Sequence, residues 1–332
     1  MKSESVAHYP VLHAAVLEHL APQEGEILLD CTLGRGGHTI ILSQHLGTTG
    51  RYIGLDCDDE AIAYCGQKLF DIIKSNFSDA VRVLDNLGLK QRGVDIIFAD
   101  LGISSAQLGD ADRGISFQLD GPLDMRLDPS LPNTAADLVN QLPEEQLAAI
   151  LFYFGEEKLS RRIAKKIVEE REGSGSLRPI LTTSQLACIV SSAIPAKVRQ
   201  QSNIHPATKT FMALRIAVNQ ELAVLNKLLK IIPQLLSPGG RAGIITFHSL
   251  EDRLVKDGFI KLQNQQMNDN QAKLEIVTKK PILPSIQELK MNPRSRSAKF
   301  RIIRKQSLDE IGQDEDDEDD EENEEQDNED KN

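Results

Sequence analysis

The sequence contains no run of apolar residues that approaches the roughly 20 needed to cross a bilayer as a helix. Its first eight residues lack the apolar core of a signal peptide. The four cysteines form no C-x-x-C pair and no cysteine–histidine cluster with zinc spacing, which argues against a disulfide framework and a zinc site. We therefore expect a cytoplasmic protein with reduced thiols and no membrane segment.

The net charge of −12 comes from the C-terminal segment. Residues Asp309 to Asn332 include 16 acidic residues and one lysine, which leaves 34 acidic and 37 basic residues in the rest of the chain. The segment has almost no apolar content, so burial cannot offset the entropy lost on ordering, and we expect an acidic disordered tail over 309–332. It is interpreted either as a solvated appendage or as a polyanion mimic that competes with RNA for a basic face.

A glycine-rich turn follows the first buried strand. The apolar run Ile27–Asp30 ends in an acidic residue, and Gly34, Gly36 and Gly37 follow it closely. Backbone N–H groups at such a turn are free at the start of the next helix, and a ligand can approach them where no Cβ intervenes. A second apolar run ends in Asp56, which is placed to hold a ribose hydroxyl pair. The pattern predicts a nucleotide-type cofactor site; a purely structural turn is the alternative.

The glycine spacing bears on which cofactor this is. The third glycine of a dinucleotide fingerprint would stand at position 39, where the chain has Thr39, and the pattern is instead D-x-x-x-G-x-G-G from Asp30. A cofactor without a pyrophosphate does not need the full phosphate cradle. One that carries an ammonium and a carboxylate gains from an acidic residue beside free N–H groups. S-adenosylmethionine fits both conditions, and NAD remains the alternative.

Strand and helix signals alternate over the first hundred residues, which predicts a doubly wound α/β sheet with its ligand at the carboxyl ends of parallel strands. Strands are predicted over Ile27–Asp30, Tyr52–Asp56, Val94–Asp100, Ala242–Phe247 and, antiparallel at the edge, Lys299–Arg304. Helices are predicted over Val11–Leu20, Thr39–Leu46, Asp58 to about Ile73, from about Val81 towards Leu89, and Ala207–Leu236.

From about Gln107 this alternation stops. A loop over Gly109–Pro132 precedes four helical segments, Thr134–Gln141, Glu144–Tyr153, Leu159–Glu170 and Ser184–Ala193. The absence of strand signals predicts an inserted all-helical substrate-binding domain over 108–205. Residues 1–107 and 206–308 then form one discontinuous α/β domain.

Asp100 is the candidate catalytic residue, because it ends a buried strand just before the turn Leu101–Ser105. Exocyclic amines of nucleobases are poor nucleophiles, since the lone pair is delocalised into the ring, and acceptors that orient the N–H bonds help the methyl transfer. A helix cap or a cofactor contact is the alternative role. No Pro-Cys pair is present to suggest covalent attack on a pyrimidine, which disfavours carbon methylation.

Basic, aromatic and amide side chains in four further regions are candidate RNA contacts. Arginines and lysines suit phosphates, an aromatic ring can stack on a base, and an asparagine can read a base edge. The basic segment 292–305 carries six positive charges in fourteen residues. The alternatives are surface ion pairing for the loop residues, a structural hydrogen bond for His248 and a solvated edge strand for the basic segment. The candidates are Arg113, Phe117, Arg126, Lys209, Arg215, Asn219, His248, Arg294 and Arg296.

Long motifs in one order resemble a known family from His8 to Arg301. They are His8–Leu12, Asp30–His38, Asp100–Ser105, Arg113–Phe117, Gly121–Arg126, Gly155–Glu157, His205–Phe211 with Asn219, and Phe247–Arg253. The family is RsmH, formerly MraW, the bacterial 16S ribosomal RNA cytosine N4-methyltransferases. The sequence departs from its usual pattern at Ala99 and Lys209, and the acidic tail has no counterpart in it.

The resemblance implies a Rossmann-like class I S-adenosylmethionine-dependent methyltransferase sheet, with a helical insert that helps to grip RNA. It implies N4-methylation of a decoding-centre cytidine, position 1402, of 16S rRNA in the small ribosomal subunit. No metal is required, because a sulfonium already carries its activating charge. Carried over by position, the donor contacts are Gly36, Gly37, His38, Asp56, Phe77, Asp100 and Gln107.

Two rival functions are consistent with parts of the pattern. The same fold serves nicotinamide-dependent oxidoreductases. An RNA-binding assembly factor with a vestigial cofactor pocket would share the basic segments without the chemistry.

Overall fold

The structure is a computed structural model, and it describes residues 10–66, 71–173, 178–265 and 273–307. The chain divides into two compact units: the first unit comprises 1–102 and 224–332, and the second unit comprises 103–223. The predicted domain ranges, with an insert over 108–205, place the boundaries differently and remain a proposal. The acidic tail predicted over 309–332 lies outside the described residues.

The first unit is built on a seven-stranded sheet of order β3-β2-β1-β4-β5-β7-β6. The strands are β1 (Ile27–Asp30), β2 (Arg51–Asp56), β3 (Asp71–Lys74), β4 (Val94–Asp100), β5 (Leu236–Thr246), β6 (Leu274–Ile276) and β7 (Lys299–Lys305). Strands β1 to β5 pair in parallel, and β7 is antiparallel to both of its neighbours, β5 and β6. The predicted Rossmann-like α/β sheet is confirmed.

Helices of the first unit cover both faces of the sheet. They are α1 (His13–Leu20), α2 (Gly37–Ser43), α3 (Asp59–Cys65), α4 (Ala80–Asn86), most of α12 (Glu221–Leu235), α13 (Ser249–Asn264) and α14 (Ile286–Met291). Successive residues of a strand point to opposite faces. Leu28 and Phe98 accordingly pack with α1 and α2, whereas Leu29 and Ile97 pack with α4, α12 and α13. Burial on both faces explains why these strands read as continuous apolar runs.

The second unit is helical. Its helices are α5 (Ser105–Gly109), α6 (Ala135–Gln141), α7 (Glu144–Tyr153), α8 (Ser160–Glu172), α9 (Thr183–Ala193), α10 (Ala196–Gln201) and α11 (Thr208–Asn219). Helices α6 to α9 confirm the four predicted segments, and they pack with α11 around one apolar cluster. Helix α10 was not predicted, because its sequence is polar. Among the residues described in this unit, β-pairing is limited to one isolated bridge between Pro122 and Thr182.

Four local predictions were wrong, and the fourth concerns the start of β5. The helix predicted from Asp58 to about Ile73 ends at Cys65, and β3 occupies Asp71–Lys74; residues 67–70 are outside the described chain. Strand β7 is antiparallel as predicted but is not at the edge, because the short β6 pairs with its outer side. The single helix predicted over 207–236 breaks into α11 and α12 at Gln220, whose φ of +51° is left-handed.

Strand β5 begins earlier than predicted. Residues 238–241, which precede the strand predicted over Ala242–Phe247, lie inside β5. They form an irregularity, because β4 pairs first with Leu236 and next with Arg241. Gly239, with φ of +76°, permits this detour. No helix formed by the described residues is long and apolar enough to span a membrane.

Candidate functional site

The carboxyl ends of the parallel strands define one edge of the sheet, and the glycine turn lies there between β1 and α2. Gly34 and Gly36 have φ of +52° and +74°, which favours glycine at both positions. A Cβ on Gly36 would lie 3.3 Å from Cys65 Sγ. The Gly34 N–H donates to Asp56 Oδ2 at 2.8 Å, and the Gly36 N–H donates to the Leu33 carbonyl at 2.9 Å. These two N–H groups are therefore used within the protein, contrary to the expectation that they are free.

Asp56 ends β2 and joins three segments of this edge. Its Oδ2 accepts from Gly34, its Oδ1 accepts from the Asp58 N–H at 2.9 Å, and its carbonyl accepts from the Ser75 N–H. Burial raises the pKa of the Asp56 carboxyl above its usual value. A carboxylate oxygen has two lone pairs, so each still has capacity to accept from a ribose hydroxyl.

Phe77 follows β3 at the same edge of the sheet. It opens a short 3₁₀ helix, Phe77–Asp79, which Asn76 caps by accepting from the Ser78 N–H at 2.9 Å. Because Ser75 is bonded to the end of β2, Phe77 lies only two residues from a direct contact with Asp56. This position is compatible with the predicted adenine contact, which remains a prediction.

Asp30 does not have the role that the sequence suggested. Its carboxyl is 1% exposed, accepts a short hydrogen bond from the Tyr52 hydroxyl and accepts from the Thr32 N–H at 2.9 Å. Burial raises its pKa to about 6. The group ties β1 to β2 from inside the protein and is not presented to a ligand ammonium.

Asp100 ends β4, and its backbone N–H donates to Thr32 Oγ1 at 2.7 Å. Its Oδ2 lies 3.5 Å from Nδ1 of His38, which is in the first turn of α2. Its Oδ1 is buried and has no hydrogen-bond partner among the described residues. Burial, followed by the nearby charges of Asp30 and Glu251, raises the pKa of Asp100 well above its usual range. An unpartnered acceptor of this kind fits a ligand that donates N–H bonds.

Gln107, the last predicted donor contact, belongs to the second unit. Its side-chain oxygen accepts from the Ser104 N–H at 2.9 Å, and its own N–H donates to the Ser104 hydroxyl. These bonds form a capping box at the start of α5. The structure thus gives the side chain a local role, and its donor contact remains a prediction.

Two arginines and an asparagine predicted to contact RNA are held by the protein. Arg126 bonds both carboxylate oxygens of Asp124 at 2.8 Å and donates to two backbone carbonyls. Arg215 pairs bidentately with Glu221 at 2.7 and 2.9 Å. Asn219 accepts from the Leu127 N–H and donates to two carbonyls. The structure therefore gives all three side chains partners within the protein, and for Arg126 this supports the ion-pairing alternative.

Arg113 and Phe117 also have partners in the second unit. The Arg113 guanidinium lies 3.8 Å from the Asp110 carboxylate and 3.5 Å from the Leu127 carbonyl. The Phe117 ring stacks on the His205 ring, with centroids 4.4 Å apart, and meets the Phe211 ring edge-on at 5.0 Å. The Phe117 face that His205 covers is therefore not available to a base in this structure.

Lys209 lies beside a cavity of the second unit. Its ammonium donates to the Glu156 carbonyl at 3.0 Å. The cavity has a volume of about 330 Å³, and its lining includes the cationic side chains of Lys158, Arg199 and Lys209. The lining also includes Glu157, so the three cations exceed the acidic residues by two, which is compatible with the predicted phosphate contact of Lys209.

The remaining RNA candidates are in the first unit and differ in exposure. His248 caps α13 by accepting from the Glu251 N–H, and its Nε2 lies 3.1 Å from the Glu251 carboxylate. Arg294 and Arg296 are exposed in the 3₁₀ helix Pro293–Ser297, and their guanidinium groups have no partner among the described residues. Of these three candidates, the two arginines are the better suited to an exposed polyanion.

Comparison with known proteins identifies the family. The MraW methylase family matches residues 5–306. The chain belongs to this family. It is 47% identical over 301 residues to ribosomal RNA small subunit methyltransferase H of Acaryochloris marina, covering 89% of this chain and 93% of that protein. It is 42% identical over 313 residues to the protein of the same name from Heliobacterium modesticaldum, covering 90% and 98%. Among solved structures, TrmN from Thermus thermophilus is 11% identical with a TM-score of 0.39, covering 89% of this chain and 48% of that chain.

Sequence reasoning missed some residues that shape the site of this MraW family member. Thr32 bonds both Asp30 and the Asp100 backbone, and the Val11 carbonyl contacts His38 Nε2 at 2.8 Å. Thr32 lies within the turn motif Asp30–His38, so the sequence could have indicated that it helps to form the turn. Nothing in the sequence links Val11 to His38, because that contact depends on how α1 packs against α2.

Replacing Arg126 with alanine is expected to lower the free energy of unfolding by about 2–3 kcal/mol. The change removes bonds to Asp124 and to the loop carbonyls, whatever Arg126 does with RNA. Urea denaturation followed by circular dichroism measures it. Arg161→Ala is the control, because Arg161 is exposed on α8. An Arg126→Ala protein as stable as wild type would contradict this interpretation.

Replacing both Arg294 and Arg296 with alanine is expected to make RNA binding less salt-dependent. The slope of the logarithm of affinity against the logarithm of salt concentration should decrease in magnitude by roughly 1.5–2. Each exposed guanidinium would otherwise displace a counterion from a phosphate. Fluorescence anisotropy with 16S rRNA fragments over a salt series measures the slope. Arg82→Ala with Lys90→Ala removes two paired charges as a control. Equal slopes in the two double variants would contradict the assignment.

Proposed function

We propose that this MraW family member is an S-adenosylmethionine-dependent enzyme that methylates N4 of a cytidine in 16S ribosomal RNA, at decoding-centre position 1402. The small-subunit rRNA substrate is supported by the names of relatives that are 41–47% identical over about 90% of the chain. The N4 target follows from the motif resemblance and from Asp100, whose free carboxylate oxygen suits an amine. That oxygen is the observation on which the proposal chiefly depends. The substrate implies a cytoplasmic location.

The residues present fit a donor with an adenosine and a methionine part. The glycines of the turn bring backbone close to the strand ends, and Asp56 retains acceptor capacity for ribose hydroxyls. In this proposal Phe77 lines the adenine, and Gly36, Gly37 and His38 contact the methionine part. Asp100 supplies an acceptor near them, and Gln107 completes the set carried over from the family.

The bound donor supplies a methyl group on a positively charged sulfonium. The protein's task is to orient a weak nucleophile towards it. Asp100 accepts an N–H bond of the cytidine amine, which directs the nitrogen lone pair and lends it electron density. Exclusion of water at the strand ends strengthens this interaction. None of these steps requires a metal.

Mass spectrometry of ribosomal RNA tests the proposal. Small subunits from a strain lacking this gene are incubated with the purified protein and S-adenosylmethionine carrying a deuterated methyl group. The label is expected in N4-methylcytidine within the fragment that spans position 1402. Subunits from the complemented strain, already methylated, are the control. Label in another nucleoside, or none, would overturn the assignment.

A nicotinamide-dependent oxidoreductase is the first rival, because it shares the strand–turn–helix site. Isothermal titration with NAD and with S-adenosylmethionine separates the two functions. We expect binding of the methyl donor alone, since Thr39 replaces the third fingerprint glycine. Tight NAD binding without donor binding would favour the rival.

An RNA-binding assembly factor is the second rival. Asp56→Ala should then still complement a deletion strain, because the change leaves the exposed arginines of 293–297 intact. Under our proposal the variant binds RNA but restores neither the modified nucleoside nor the phenotype that depends on it. Complementation without the modification would favour the assembly role.

A further inference from the structure

His38 is buried at the start of α2, beside the carboxyl of Asp100. The residue is 8% exposed, and its ring packs against the Phe98 ring with centroids 4.7 Å apart. Nε2 lies 2.8 Å from the Val11 carbonyl, and Nδ1 lies 3.5 Å from Asp100 Oδ2. The imidazole thus bridges a backbone acceptor and a carboxyl at the proposed reaction site.

The Val11 carbonyl fixes the tautomer of this imidazole. A carbonyl oxygen can only accept, so Nε2 must carry a hydrogen. Burial, partly opposed by the bond to Val11, lowers the pKa of His38 to about 4, so the ring is neutral near pH 7. A neutral ring with its hydrogen on Nε2 leaves a lone pair on Nδ1. That lone pair faces Asp100 Oδ2, and two acceptors so close together favour a proton between them.

We infer that Asp100 is the base that takes up the proton released from the methylated amine, and that His38 makes this possible. His38 Nδ1 accepts a hydrogen bond from the Asp100 carboxyl once that carboxyl is protonated. The inference rests on the proposed function. His38 is a positioning residue in this scheme, because it acts through Asp100. The role goes beyond a contact with the methyl donor, since it concerns the fate of a proton after transfer.

The other ionisable groups around the pair act in the same direction. The carboxylates of Asp30 and Glu251 face Asp100 and favour its protonated form. The electrostatic influence of His13 of α1 disfavours a positive charge on His38, which keeps Nδ1 free of a proton. The surroundings thus stabilise a neutral imidazole beside a carboxyl with unusually high proton affinity.

The step balances in atoms and charge. The N4 lone pair forms the bond to the methyl carbon, and the sulfur–methyl bond breaks with its electron pair remaining on sulfur. N4 then carries a positive charge and a surplus proton, which passes to the Asp100 carboxylate. Rotation of the carboxyl about its Cβ–Cγ bond brings the new O–H to His38 Nδ1. The methylated base leaves neutral, and Asp100 later releases its proton to solvent.

Two substitutions of His38 separate this role from a purely structural one. Glutamine can place an amide donor near the position of Nε2, which keeps the Val11 contact and removes the Nδ1 acceptor. Asparagine can place an amide oxygen near the position of Nδ1, which keeps the acceptor and removes the Val11 contact. A structural role for His38 therefore predicts that glutamine is tolerated better, and the proton role predicts the reverse.

The pH dependence of single-turnover methylation is the first measurement. Asp100 must be deprotonated to take up a proton, so the rate falls as the pH drops through its pKa. The protonated form of Asp100 loses its hydrogen-bond acceptor in His38→Gln, which lowers the pKa of Asp100. The acidic limb of the pH–rate profile should therefore move to lower pH by about one unit in this variant, and the rate on the plateau should fall about tenfold. His38→Asn should keep the limb near that of wild type. Superimposable limbs for wild type and His38→Gln would overturn the inference.

Nuclear magnetic resonance of the protein without substrate or donor is the second measurement. Long-range nitrogen–proton correlations should show the hydrogen of His38 on Nε2 near pH 7. The Asp100 carboxyl carbon should titrate at a lower pH in His38→Gln than in wild type. A hydrogen on Nδ1, or an unchanged Asp100 titration, would overturn the inference. These results do not depend on cytidine methylation, so failure of the proposed function would appear separately, as wild type that leaves cytidine unmodified.

Discussion

Replacing Asp100 with asparagine is expected to lower kcat for methyl transfer by about 100- to 10,000-fold, the range typical of removing a positioned acid–base group. Asparagine retains an oxygen that can orient an amine, but it carries no charge and cannot take up a proton. Oδ1 of Asp100 is buried and makes no hydrogen bond with the described residues, so the substitution breaks no contact of that oxygen within this part of the protein. Single-turnover assays with unmethylated small subunits and saturating donor measure the effect.

A matched change elsewhere in the first unit controls for loss of charge. Asp85→Asn removes a carboxylate that is exposed on α4 and pairs with Lys90, and it should leave kcat within a few-fold of wild type. Donor affinity, measured by calorimetry, should change much less than kcat in Asp100→Asn. If the Asp100→Asn protein turns over at a third of the wild-type rate or faster, Asp100 is neither the base nor an essential acceptor.

The ends of three strands could be predicted from sequence, because β1, β2 and β4 are each a largely apolar run closed by an acidic residue. Asp30, Asp56 and Asp100 follow from this rule. The orientation of each carboxyl did not follow. Asp30 turns inward because Tyr52 lies beside it on the neighbouring strand, and that proximity arises only when β1 and β2 pair.

Elements with weak periodicity escaped prediction for a related reason. Strand β3 has four residues that are half-buried or exposed, so neither alternation nor a continuous apolar run marks it. Contacts distant in sequence were equally hidden. Asn219 bonds the backbone at Met125 and Leu127, more than ninety residues away, so a side chain that suits a base edge is used instead to anchor a loop.

Replacing Asp56 with alanine is expected to weaken S-adenosylmethionine binding roughly 100-fold or more, because two hydrogen bonds from ribose hydroxyls to a charged acceptor are lost. The change also leaves the N–H groups of Gly34 and Asp58 without their acceptor, so the turn could be disturbed as well. Asp56→Asn keeps one oxygen and the size of the side chain. We expect about a tenfold loss in that variant, measured by isothermal titration calorimetry.

Adenosine distinguishes a ribose contact from a general collapse of the turn. It carries the ribose but not the methionine part, so the loss of a ribose contact weakens the binding of adenosine and of S-adenosylmethionine by the same factor. Disturbance of the glycine turn, in contrast, acts mainly on the methionine part and spares adenosine. Equal factors in Asp56→Ala would therefore assign the carboxylate to the ribose. Unchanged adenosine affinity would show that the acid at the end of β2 serves only to hold Gly34 in place.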